Sequence, residues 1–137
     1  MKRMLSALTC SVVLLVGCYR TGCLVFRTPP ATAAKVSNPL EGNAEARLAG
    51  AKLFSQECSP CHGANREGTG KAPPLNRAEV FQAPPGKLFW ILRHGSVQTG
   101  MPSFASLPET QRWQIVTFLR QSPAATSSSG SASRKND

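Results

Sequence analysis

The sequence predicts an all-α domain, and three observations carry that reading. Three stretches repeat apolar residues at helical spacing. Little between them alternates with the period of two that a half-buried strand needs. Proline or glycine stands close to where these stretches start or stop. The first helix is predicted over 43–57, with Asn43 as candidate cap and Ala46, Ala49, Gly50, Leu53 and Phe54 on one face. A glycine inside a helix costs stability unless a neighbour must come close. The first and last helices are therefore expected to cross, with Gly50 admitting a ring such as Phe118. The second helix is predicted over 86–94, after Pro84 and Pro85 and before Gly95. The third is predicted over 108–121. Ser106 and Glu109 have capping-box spacing, Trp113, Ile115, Val116, Phe118 and Leu119 supply apolar surface, and Pro123 follows the end.

The flanks read differently. Residues 1–17 have the form of an export signal: Lys2 and Arg3, then an uncharged, mostly apolar run to residue 18. That run is shorter than the ~20 apolar residues of a comfortable spanning helix. It ends Leu15-Val16-Gly17-Cys18, which resembles the bacterial lipobox and makes Cys18 the expected lipidation site. Cys23 is the weaker candidate, because Arg20 breaks the pattern before it, and it reads as a spare linker thiol. An uncleaved anchor reaching through residues 24–26 must bury Arg20 or let it snorkel to the surface. Plain secretion is the third option, and all three put the domain outside the cytoplasm. Residues 18–42 carry Pro29, Pro30 and Pro39 without an apolar period and are expected to be a tether. Residues 123–137 are low-complexity and are expected to be a disordered tail. The domain proper is then 43–122, within a chain of 137 residues.

A net charge of +9 suggests a polyanion partner, but its distribution does not. Between residues 40 and 122, nine Lys or Arg stand against six Glu, with no basic run and no aromatic platform interleaved with one. Nucleic acid is not an expected partner.

The chemistry concentrates in Cys58-Ser59-Pro60-Cys61-His62. The loop between these thiols is too short for a useful disulfide staple. A thioredoxin-type dithiol belongs in a βαβ context, which this chain lacks. Zinc wants four ligands, and after signal removal Cys58, Cys61, His62, His94 and Cys23 barely supply them. The C-x-x-C-H spacing is that of c-type haem attachment. Two thiols meet the two vinyl groups on one porphyrin edge, and the next residue, His62, lies beneath the iron. One covalent haem then fills a core too small to stand alone, and its two carboxylates bring the local charge balance close to neutral. For the opposite side of the iron the residues offer Met101, His94 or an open site. Met1 and Met4 fall in the signal; His94 closes a helix, where a cation suits the dipole; and a lone methionine is usually core filling.

AGAKLFSQECSPCHG, then KAPPL, HGSVQTGMPSF and LPETQRWQIVTFLR, together resemble a class I cytochrome c of the small bacterial type, over about residues 44–121. The resemblance implies the cytochrome c fold, three main helices around one covalent haem, with Gly50 and Phe54 packed against Phe118. It implies Met101, within GMPSF, as the second axial ligand, and Pro73 as the residue whose carbonyl accepts from the proximal imidazole, although Pro74 stands beside it. Lys87, Trp90 and Arg93 are candidates to hold haem propionates, with Trp90 alternatively core.

The expected function is a one-electron carrier rather than an enzyme, because His62 and Met101 leave no vacancy for a substrate. Expected partners are redox proteins with acidic docking surfaces, and the membrane through a lipid anchor, on the periplasmic side. A haem enzyme or gas sensor with a labile sixth ligand, and a non-haem metal-binding lipoprotein, are the alternatives.

Overall fold

The computed structural model describes residues 28–70 and 72–122. The expected signal, Cys18, Cys23 and the expected tail lie outside the described residues. Helices dominate, and the only pairing among the described residues is two isolated bridges, Thr69 with Ala72 and Ser96 with Met101. No helix among them is long and apolar enough to cross a membrane.

Helix α1 spans Ala44–Leu53. The Asn43 side chain accepts from the Ala46 N–H at 2.8 Å, satisfying one of the donors that a helix start leaves free. Glu45 in the first turn suits the helix dipole. The helix does not stop near residue 57. It widens into a π-helical turn, Phe54–Cys58, and continues as α2, Ser59–His62. It stops at Gly63, whose φ of 80° is readily reached only without a Cβ. Helix α3, Ala78–Phe81, is a single turn that the apolar spacing did not announce. Helix α4, Pro85–His94, starts with Pro85 in its first turn, where a missing N–H costs nothing. Helix α5 spans Glu109–Leu119. The expected capping box is absent: Pro108 takes the cap position with no side-chain bond, so Ser106 lies too far upstream. Glu109 instead sits 3.4 Å from the indole N–H of Trp113.

The α1–α5 crossing is the most extensive contact between helices. A Cβ on Gly50 would lie 2.0 Å from the Gln114 carbonyl oxygen and 3.1 Å from Phe118 Cβ. The small residue thus admits the backbone of α5 more than a ring. The rings of Phe54 and Phe118 meet one turn on, with centroids 5.3 Å apart. Around this crossing, Phe54, Cys58, Leu92, Trp113, Ile115, Val116 and Leu119 form the buried core. Phe89 of α4 stacks on Trp113 at 4.0 Å, so position 89 takes the inward place. Trp90, a candidate core residue in the sequence, turns away and stacks on His94 at 4.2 Å.

Residues 31–42, within the stretch expected to be a tether, pack against α4 and α5. A 3-10 turn, Ala31–Lys35, buries Ala33, and Gly86 of α4 fits against it. Asn38 is buried and donates to Thr117 Oγ1 at 2.9 Å, while its side-chain oxygen accepts from the Leu40 N–H.

Candidate haem-attachment site

Cys58, Cys61 and His62 lie at the end of the long helical run. The wide π turn leaves Phe54 and Cys58 both in the core, whereas Cys61 is exposed and His62 is buried again. Three residues apart on helical backbone, the two cysteines are neighbours on one face, one inside the protein and one at its edge. Burial pushes the Cys58 thiol up to about 11, with the charge of Glu57 and the neighbouring Cys61 adding to the effect. A buried, protonated thiol is a poor nucleophile, which argues against a thioredoxin-like dithiol.

His62 Nδ1 lies 2.9 Å from the Pro73 carbonyl oxygen. A carbonyl only accepts, so Nδ1 carries a proton, and in the neutral ring Nε2 is the nitrogen with the lone pair. The loop that supplies Pro73 is fastened at several points. The Gly68 N–H donates to the His62 carbonyl at 2.7 Å, and Thr69 Oγ1 donates to the Cys61 carbonyl at 2.7 Å. Glu67 accepts from the Asn65 N–H at 2.8 Å. The Arg66 carbonyl accepts from the N–H groups of Leu75 (2.7 Å) and Asn76 (3.2 Å).

Sequence reasoning missed Arg66. Its guanidinium is buried, donates to the Gln121 carbonyl at 3.0 Å, and lies 4.9 Å from the centroid of the Phe118 ring and 5.6 Å from that of Phe81. Desolvation lowers its pKa from the ordinary arginine value. Its φ of 63° is the one positive value among the described non-glycine residues. No spacing rule marks such a residue, because the carbonyl it donates to lies fifty-five positions away.

Met101 sits in the loop between α4 and α5, half-buried and packed against the core cluster that contains Cys58. Its N–H donates to the Ser96 carbonyl at 3.0 Å, and its carbonyl accepts from the Ser96 N–H at 2.9 Å. Gly95 makes this turn possible: its φ is 68°, and a Cβ there would lie 2.7 Å from the Met101 carbonyl oxygen. The Phe104 N–H donates to the Leu92 carbonyl at 2.8 Å, and Ser103 Oγ to the Arg93 carbonyl at 2.6 Å, so the loop lies back on α4. His94 sits elsewhere. Its Nδ1 donates to the Trp90 carbonyl at 2.8 Å, and with Trp90 and Arg93 it lines a groove of about 290 Å³ against Pro30, Ala33 and Val36.

The donor set fits a haem fixed through its edge: two thiols on one helical turn, an adjacent imidazole with a free Nε2, and a thioether against the same apolar cluster. Among the described residues, no group of three or more His, Cys, Asp or Glu side chains is placed to hold a bare metal ion.

Comparisons with known proteins agree with this chemistry. The family described as "Cytochrome C oxidase, cbb3-type, subunit III" matches residues 45–119. A protein of Pseudomonas aeruginosa described as "Dihydro-heme d1 dehydrogenase" is 33% identical over 75 residues, which are 54% of this chain and 15% of that protein. The chain thus spans well under a fifth of that relative's length. No solved structure matches.

Proposed function

Because this chain belongs to the c-type cytochrome family matched over residues 45–119, we propose that it is a one-electron carrier whose iron is held between His62 Nε2 and the Met101 thioether. Membership brings one covalently bound haem c and a haem-based role in electron transfer. It removes the reading of a non-haem metal site.

Cys58 and Cys61 form the thioethers in this reading. The observation that carries the axial assignment is the Nδ1–H of His62 donating to Pro73, because it fixes both the tautomer and the ring orientation that a ligating Nε2 requires. The haem supplies a one-electron couple. The residues tune it in opposite directions: hydrogen bonding makes the His62 imidazole a stronger donor, while a neutral thioether from Met101 raises the potential. Packing of Met101 on the cluster that includes Cys58 supports it over His94, which faces the groove beside Val36.

With both axial positions taken, the protein carries electrons and does not act as an enzyme. Dehydrogenase activity belongs to a relative of which this chain spans only 15%. The domain works outside the cytoplasm, anchored through lipid on Cys18. It docks transiently on acidic surfaces of redox proteins and uses neither nucleic acid nor a small-molecule substrate.

Carbon monoxide added to the reduced, matured protein tests the reading. The carrier binds it slowly or not at all. Rapid stoichiometric binding would instead favour a haem enzyme or gas sensor with a labile sixth ligand.

A further inference from the structure

We infer that Arg66 is a positioning residue for the axial histidine: it braces the carbonyl that holds His62 and thereby helps to set the reduction potential. The inference rests on His62 being an iron ligand. Three observations converge on it. The side chain is buried and fastened just past the end of α5 through the Gln121 carbonyl, with the Phe118 and Phe81 rings nearby. The backbone of the same residue accepts from Leu75 and Asn76, the two residues that follow Pro73 and Pro74. The Pro73 carbonyl in turn accepts from His62 Nδ1. A chain of three contacts therefore runs from α5 through Arg66 to the imidazole.

Arg66 also holds a left-handed backbone conformation, φ 63°, that is unfavourable for a residue with a side chain. Such a conformation persists only when the surroundings over-determine it. Here the backbone is held on both sides, by its N–H on the Gly63 carbonyl and its carbonyl on Leu75 and Asn76, and the side chain adds a third anchor at its far end. An ordinary surface arginine needs neither the burial nor the strain. Proline cannot donate from its own nitrogen, so Pro73 and Pro74 cannot anchor themselves through backbone N–H groups. The nearest N–H groups downstream, on Leu75 and Asn76, are the ones that Arg66 receives.

Loosening this brace weakens the hydrogen bond from His62 Nδ1. A weaker bond makes the imidazole less basic and favours the reduced state. The test compares wild type, Arg66→Met and Arg66→Lys as matured, haem-loaded proteins. Two quantities are read: the reduction potential, and the hydrogen–deuterium exchange rate of the His62 Nδ1 proton by NMR of the reduced protein. In Arg66→Met, exchange is expected to quicken about tenfold or more. The potential is expected to rise by up to about 59 mV, a tenfold change in a one-electron equilibrium. Arg66→Lys keeps the charge and one donor and is expected to recover part of both effects. If Arg66→Met yields no loaded protein, Arg66→Lys carries the same two readouts against wild type. A lowered melting temperature with wild-type potential and wild-type exchange would overturn the inference, because it would make Arg66 purely structural. Ligation is read separately: a wild-type protein whose His62 ring resonances carry no iron-induced shift would instead overturn the axial assignment beneath it.

Discussion

The two sides of the proposed iron site are built unequally. On the His62 side, the ligand sits at the end of one long helical run, is buried, and is held by a loop with hydrogen bonds from Gly68, Thr69, Leu75 and Asn76. On the Met101 side, the ligand is half-buried in a turn between α4 and α5; its backbone pairs with Ser96, Gly95 makes the turn possible, and the loop is fastened to α4 through Phe104 and Ser103, beyond the ligand. Residues 98–100, just before Met101, are all exposed. Few buried contacts and exposed backbone mark the parts of a protein that open first. The difference teaches where ligation would fail: the nitrogen side is part of the scaffold, and the sulfur side is laid on top of it.

Substitutions at the two ligands should therefore separate. His62→Ala has the largest expected effect. It removes the imidazole next to the attachment thiols and leaves the Pro73 carbonyl without its donor, so the yield of low-spin, haem-loaded protein should collapse, as read by absorption and mass spectrometry. Met101→Ala should be milder. The protein keeps its haem and helices, loses about 1–2 kcal/mol for a half-buried side chain, becomes high-spin or ligand-accepting, and has a lowered potential. Equal losses at both positions would break the comparison.

Gly50→Ala tests the scaffold behind the His62 side. Helix propensity alone predicts a gain of about 1 kcal/mol. The added Cβ would sit 2.0 Å from the rigid Gln114 carbonyl, so overpacking should win by about 1–3 kcal/mol, seen in chemical denaturation. The smallest effect concerns the thiols before haem attachment. Cys58 holds its proton until the pH nears about 11, against the ordinary 9.0, whereas Cys61 is exposed. Where the chain holds this fold before haem attachment, alkylation at pH 8 should thus reach Cys61 before Cys58. Cys58 should catch up only as the pH climbs toward 11, because its thiolate, the reactive form, appears only there.

The helices were legible where local rules govern them. Asn43 caps α1, Gly95 ends α4, and apolar spacing located α5, because each signal acts within one or two turns. The same rules failed where distant contacts decide. The helical run that begins with α1 continues through Cys58 to His62, with Phe54 and Cys58 buried at the two ends of its π turn, which no local breaker reveals. The capping box at Ser106 lost to Pro108, whose fixed backbone already starts the helix. Residues 31–42 carry no periodicity, yet Ala33 and Asn38 are buried by α4 and α5. At the site, C-x-x-C-H was readable because its chemistry is local. The contacts of Arg66 were not, since they are with a carbonyl and a ring brought to it only by the fold.

The central claim is nitrogen and sulfur on opposite sides of one covalently held haem. The absorption spectrum of the oxidised, matured protein in the sulfur-to-iron charge-transfer region tests it most directly. A weak band in wild type that vanishes in Met101→Ala is the expected result. No such band in wild type, or a band that survives the substitution, would contradict the assignment.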